Sequence, residues 1–274
     1  MRFLWICIFL FVRYSGKAQA SYADSLFRTG NYLEAGVEYE RLIFEGSKDL
    51  APNEILLRKS FCYKEQSNFE MSLETLQRSD YYSGSDSIRF QLLYESILSA
   101  YLSGRFDLSL SLINELHYNF EDKTNLSLDV LEIMTLTQLM KWKEAKNKFN
   151  TLSTQHNLNL DTTIFDQVLR RKFKKPEKAL TLSYLLPGSG LFYAGAPVRG
   201  LTSAGLQTGA MLMAIHGLKE GYFFSGALTG AALFYVFYNG GAQYAATLST
   251  KRNENRISNF KADLVKALSQ VETK

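Results

Sequence analysis

The chain has 274 residues, 46% hydrophobic and 21% charged, which is enough for two modest domains of ordinary folded composition. Residues 1–20 hold three of its 31 cations and none of its 27 anions. The remainder therefore stands at 28 against 27, and the formal charge of +4 is no argument for a nucleic-acid partner. Two cysteines, Cys7 and Cys62, and three isolated histidines, His117, His156 and His216, exclude a disulfide framework and a metal site at ligand spacing.

Residues 1–20, MRFLWICIFLFVRYSGKAQA, begin with Arg2, continue in an apolar run from Phe3 to Val12 and end in Ala18-Gln19-Ala20. That order is the pattern of a secretory signal peptide, with cleavage expected after Ala20. An uncleaved signal anchor is the alternative, because Arg13 and Lys17 make the end of the leader basic. Removal of Cys7 with the leader leaves Cys62 alone, as a small residue on an apolar helix face.

The next 140 residues repeat. Tyr32, Phe69, Phe106 and Trp142 are spaced 37, 37 and 36 residues apart, each followed at +3 by a small residue and at +7 by a large apolar one. These companions are Ala35 and Tyr39, Ser72 and Leu76, Ser109 and Ile113, and Ala145 and Phe149. The offsets put each trio on one helical face as a repeat core. A second apolar-periodic stretch precedes each of the last three, so helix pairs are predicted at this period. The first repeat is a shortened cap.

Helix pairs with a small turn residue, an aromatic, an alanine and a second aromatic resemble tetratricopeptide repeats, here over about residues 21–160. The resemblance implies a helical solenoid whose concave face holds extended peptides or partner helices. Arg58, Arg89 and Gln138, on the leading helices, are the candidate groove positions. Residues 21–166 carry 14 cations and 22 anions and residues 167–274 carry 14 and 5, so an acidic half precedes a basic one.

No catalytic constellation is present. "PGSG" at 187–190 lacks both the nucleophile-elbow pattern and a phosphate-loop lysine. No enzyme activity, catalytic residue, cofactor or metal is expected.

Residues 161–178 form a basic linker or interfacial helix. Between Ala179 and Thr250 the only charges are Arg199, Lys219 and Glu220, leaving uncharged runs of 20, 19 and 30 residues. Such runs are candidate spans. They are rich in small residues, with Gly205-x-x-x-Gly209 and Gly226-x-x-x-Gly230 at helix-packing spacing. A helical membrane domain is predicted over 179–250.

"LLPGSGLFYAGAPVRG" is similar to the opening of small bacterial membrane domains of the P-G-x-G-x-x-Y-x-G type. The matching residues are Pro187, Gly188, Gly190, Tyr193, Gly195 and Gly200. Pro187 and the nearby glycines predict a broken or re-entrant first segment, followed by spans near 200–218 and 221–238 that end at Asn239-Gly240-Gly241. Three spans are the alternative. Residues 251–274 form an amphipathic helix, with Ile257, Phe260, Leu264 and Leu268 on the face that meets the membrane or the repeats.

The fold expected is all-α: a tetratricopeptide-like helical solenoid followed by a small Gly-rich α-helical membrane hairpin. The expected role is an exported, membrane-anchored scaffold in a bacterial cell-envelope assembly or secretion complex. Its repeats would lie in the periplasm at the inner membrane, and its partners would be envelope proteins and membrane lipid. An oligomeric transport or channel component, self-associating through the membrane domain, is the alternative.

Overall fold

A computed structural model of the chain describes residues 22–47, 50–120, 125–158, 160–170, 172–222, 224 and 228–272. The expected signal peptide lies outside the described residues. Among the described residues all regular elements are helical and none is a strand, so the fold is all-α. The chain divides into two compact units, Met1–Leu158 and Asn159–Lys274.

Among the described residues the first unit is a run of four helical hairpins. They pair α1 (residues 22–28) with α2 (Tyr32–Glu45), α3 (Pro52–Glu65) with α4 (Phe69–Gln77), α5 (Asp86–Leu102) with α6 (Phe106–Asn119), and α7 (Leu126–Gln138) with α8 (Trp142–Gln155). The turns are built alike. Gly30, Ser67, Gly104 and Met140 occupy the same place in successive hairpins, with φ of 82°, 56°, 82° and 57°. After each, the next backbone N–H donates to a carbonyl five residues back, as Asn31 N does to Leu26 O and Lys141 N to Leu136 O. This left-handed helix ending satisfies terminal carbonyls and reverses the chain, and glycine adopts it without a Cβ clash.

Each second helix starts at its repeat aromatic. Tyr32, Phe69, Phe106 and Trp142 are half-buried over the turn, and Tyr32 and Phe106 sit edge-on to Phe27 and Tyr101 of the preceding helices. The small residue one turn later and the large residue one turn beyond are fully buried in every hairpin. Where serine replaces alanine at the small position, its hydroxyl reaches the next leading helix. Ser72 Oγ lies 3.1 Å from Ser99 Oγ of α5, and Ser109 Oγ lies 3.3 Å from Thr135 Oγ1 of α7 and also donates at 3.2 Å to Ile97 O in the leading helix of its own hairpin. These contacts remove the cost of burying an unpaired hydroxyl. Leading helices also touch one another, α3 with α5 and α5 with α7.

The second unit begins with a 3-10 turn, Thr162–Phe165, that continues as α9 (Asp166–Leu169). It then comprises α10 (Pro176–Leu185), α11 (Ser189–Ala194), α12 (Pro197–Lys219) and α13 (Leu228–Glu272). Three of the chain's four prolines are the first residues of α3, α10 and α12, where a missing N–H costs nothing. The fourth, Pro187, lies in the bend between α10 and α11. Both α10 and α12 pack along α13.

Two expectations change here. Helix α13 runs without a break through Asn239-Gly240-Gly241, so the described part of the 251–274 segment, to Glu272, is its continuation and not a separate closing helix. Packing against two neighbours supplies what the glycines subtract from helix propensity. The apolar face of that segment packs inside the second unit. Phe260, Leu264 and Leu268 are buried, with the Phe260 ring edge-on to Phe165 at 5.1 Å between centroids. The basic stretch 161–178 is thereby folded into the second unit. Among the described residues no helix is long and apolar enough to cross a membrane. The 23 residues of α12 have the length for it, but Gly, Ser, Thr and Gln dilute their apolar content.

Candidate functional site

The P-G-x-G segment forms a tight helical bend against α13. Tyr238 Oη donates to Tyr184 O at 2.7 Å near the end of α10. Asn253 clasps Lys174, two residues ahead of that helix: Lys174 N donates to Asn253 Oδ1 at 3.0 Å, and Asn253 Nδ2 donates to Lys174 O at 2.7 Å. The chain then turns at Gly188, with φ of 81°, and α11 leads it back. The start and end of this segment therefore meet. Lys175 N donates to Tyr193 Oη at 3.0 Å and Lys174 Nζ to Tyr193 O at 2.6 Å.

Backbone contact explains the motif glycines. A Cβ on Gly190 would lie 2.0 Å from Ala179 O, and one on Gly188 2.3 Å from Gly200 O. A Cβ on Gly200 would meet the Phe192 ring at 2.6 Å. Gly195, with φ of 90°, ends α11 beneath the Arg252 guanidinium. Motif residues Pro187, Gly188, Gly190, Tyr193, Gly195 and Gly200 thus belong to one bend.

Two cations cap α11. Arg252 Nη1 donates to Ala194 O at 2.8 Å beside the Lys174 contact to Tyr193 O, so both face the negative end of the short helix. Burial, and then the neighbouring Arg252 charge, hold the Lys174 ammonium below the usual lysine value. Lys174 and Arg252 have no carboxylate partner among the described residues. The two basic clusters of the sequence, 170–178 and 251–256, are brought together at this end. The Arg256 guanidinium lies 4.5 Å from the Phe173 ring centre and donates to Gln167 O.

The helix-packing glycines separate into two kinds. A Cβ on Gly230 would lie 2.6 Å from Ala214 N, so Gly230 is where α12 and α13 touch. A Cβ on Gly205 or Gly209 would meet nothing within 4 Å, and both lie open on α12. Gly226 lies outside the described residues.

Arg58, Arg89 and Gln138 each bind within the first unit. Arg58 Nη1 grips both Asp24 oxygens at 2.7 and 2.9 Å, and Tyr39 Oη donates to the same carboxylate at 2.5 Å. Arg89 Nε donates to Tyr81 O at 2.9 Å, and Gln138 Nε2 to Tyr101 Oη at 3.4 Å. Arg58 also lines a groove of about 340 Å³, with Asp24, Phe27, Tyr39 and Phe61. Another groove, of about 490 Å³, lies between α2 and α3. Its walls include Leu33, Val37 and Phe44, exposed by 66%, 61% and 91%, together with Tyr63 and Lys59. Leu33, Val37 and Phe44 lie at i, i+4 and i+11, opposite the buried Ala35, Tyr39 and Leu42. A second apolar stripe on one helix was the sequence signal for this groove.

Among the described residues no group of three or more His, Cys, Asp or Glu could hold a metal ion. Comparison with protein-family models, with curated protein sequences and with solved structures returned no match.

Proposed function

We propose that the protein is a membrane-anchored scaffold. On this reading its second unit sits in the lipid of a bacterial envelope, and its tetratricopeptide-like first unit, exported to the periplasm, holds a partner protein of an assembly or secretion complex. The observation that carries the anchor is the surface of α12 and the first part of α13. Leu201, Leu206, Leu212, Leu218, Leu233 and Val236 are all exposed, over stretches without charge from 200 to 218 and from 228 to 250. Large exposed apolar surfaces mark interaction sites, and one wrapped around a helical hairpin suits lipid. Because Asn253 holds the Lys174 backbone, both basic clusters then face the same headgroup layer, where each cation is worth about 1 kcal/mol. The α2–α3 groove favours an apolar peptide or helix as the occupant of the first unit.

The test is fractionation of cells that make the full-length protein, followed by high-salt and carbonate washes. Retention until detergent is added supports the anchor; release by salt alone overturns it. The open Gly205–Gly209 face supports a second reading, self-association of α12 into an oligomeric membrane unit. Cysteine crosslinking between copies at Gly205 tests it.

A further inference from the structure

A groove of about 410 Å³ lies between α12 and α13 in the second unit. It is polar at one end and apolar at the other. Arg199, Thr202, Ser203 and Tyr244 line the first part, and Leu206, Val236 and Phe237 the second. Along α12, from Arg199 to Leu206, it runs roughly 10 Å at the helical rise per residue. Gly240 and Gly241 form part of its wall, and a Cβ on Gly240 would meet nothing within 4 Å, so that glycine leaves the space open.

The polar end has donors to offer. The Arg199 guanidinium lies over the Tyr244 ring at 5.6 Å from its centre and directs one N–H at Tyr244 Oη. A guanidinium has five N–H donors in a planar fork that fits a phosphate with two parallel bonds. Among the described residues no carboxylate pairs with Arg199. Ser203 Oγ accepts from Gln207 Nε2 at 3.0 Å, which leaves its own O–H to donate. A cation and a hydroxyl at one end of an apolar trough match a molecule with an anionic head and a hydrocarbon tail.

We propose that this groove seats one acyl chain of an anionic phospholipid, its headgroup on Arg199. The proposal rests on the membrane anchoring above and adds a lipid class to it.

The experiment places the full-length protein in phosphatidylcholine vesicles carrying a diazirine on the acyl chain of either phosphatidylglycerol or phosphatidylcholine. Flotation and circular dichroism are measured first, and the photolabelled residues are then mapped. The expected result is labelling at Leu206 and Phe237 that favours the phosphatidylglycerol probe by about fivefold, the factor one headgroup-bound cation supplies. Gly240→Leu fills the groove with a better helix former and removes that labelling, while labelling at the outward Met211 and Leu212 stays. Arg199→Gln erases the preference between the two probes and leaves phosphatidylcholine labelling unchanged. Equal labelling by both probes in the unaltered protein, or groove labelling that survives Gly240→Leu, overturns the lipid site alone. Failure of the protein to float overturns the anchoring, and the lipid site with it.

Discussion

Gly190 lies against Ala179 so closely that a Cβ on it would sit 2.0 Å from the Ala179 carbonyl oxygen and 2.1 Å from Ser183 Oγ. The crossing of α10 and α11 therefore depends on a hydrogen atom at one position. Gly190→Ala should destabilise the second unit by about 3 kcal/mol, the upper range for forcing one methyl into a packed site. Gly205→Ala, where the new methyl meets nothing, should be neutral or stabilising by up to about 1 kcal/mol. Thermal unfolding of the full-length protein in detergent compares the two, and equal effects would refute the crossing.

The left-handed turns give a prediction of opposite sign. Ser67 and Met140 adopt at φ of 56° and 57° the conformation that Gly30 and Gly104 adopt at 82°. A side chain in that region costs about 1 kcal/mol or more relative to glycine. Ser67→Gly and Met140→Gly should each raise the stability of the first unit by about 0.5–1 kcal/mol. Urea denaturation followed by circular dichroism reads the change.

Within each repeat the buried and half-buried aromatics should differ in weight. Phe149 is fully buried and Trp142 only half-buried. Phe149→Ala should cost about 3–5 kcal/mol, as removal of a buried ring does, and Trp142→Ala less despite the larger side chain. The same denaturation experiment ranks them.

Acid should release one ion-pair cluster. Hydrogen bonds from Arg78 and then Lys59 hold the Glu40 carboxyl at about 2, against 4.5 ordinarily. A carboxyl whose folded value is depressed contributes stability above its unfolded value and loses it as the pH falls toward the folded one. Glu40→Gln should therefore flatten the decline in first-unit stability between pH 4.5 and 2. The carboxylate is 44% exposed, so solvent screening keeps the contribution modest. Stability measured across that pH range checks both the sign and the window.

Cys62 should be inert in the folded chain. It is fully buried, and burial pushes its thiol up to about 11. In a Cys7→Ser background, a disulfide-exchange reagent at pH 8 should react only after denaturant is added. Rapid reaction of the native protein would contradict the packing of α2 on α3.

The helical class and the four hairpins were legible in the sequence because each repeat states its own geometry. A half-buried aromatic, a small residue and a large residue at fixed offsets need only helical periodicity to share a face. The turn residues kept the same period, but two of the four are not glycine, so composition alone did not mark them. The α2–α3 groove was legible in principle, as a second apolar stripe on a helix whose first stripe is core.

Tertiary structure decided the rest. Arg89 pairs locally with Asp86 on its own helix, but the partners of Arg58 and Gln138 lie on other helices, and no local pattern encodes Asp24 as the acceptor for Arg58. Asn239-Gly240-Gly241 reads as a helix stop because glycine propensity is a local quantity. Packing of α13 on α10 and α12 is not local, and it carries the helix through. The two basic clusters stand some eighty residues apart in sequence and meet because Asn253 binds the Lys174 backbone. The motif glycines were visible in the sequence as letters. Their reason, backbone against backbone at Ala179 and between Gly188 and Gly200, exists only once the chain has folded back on itself.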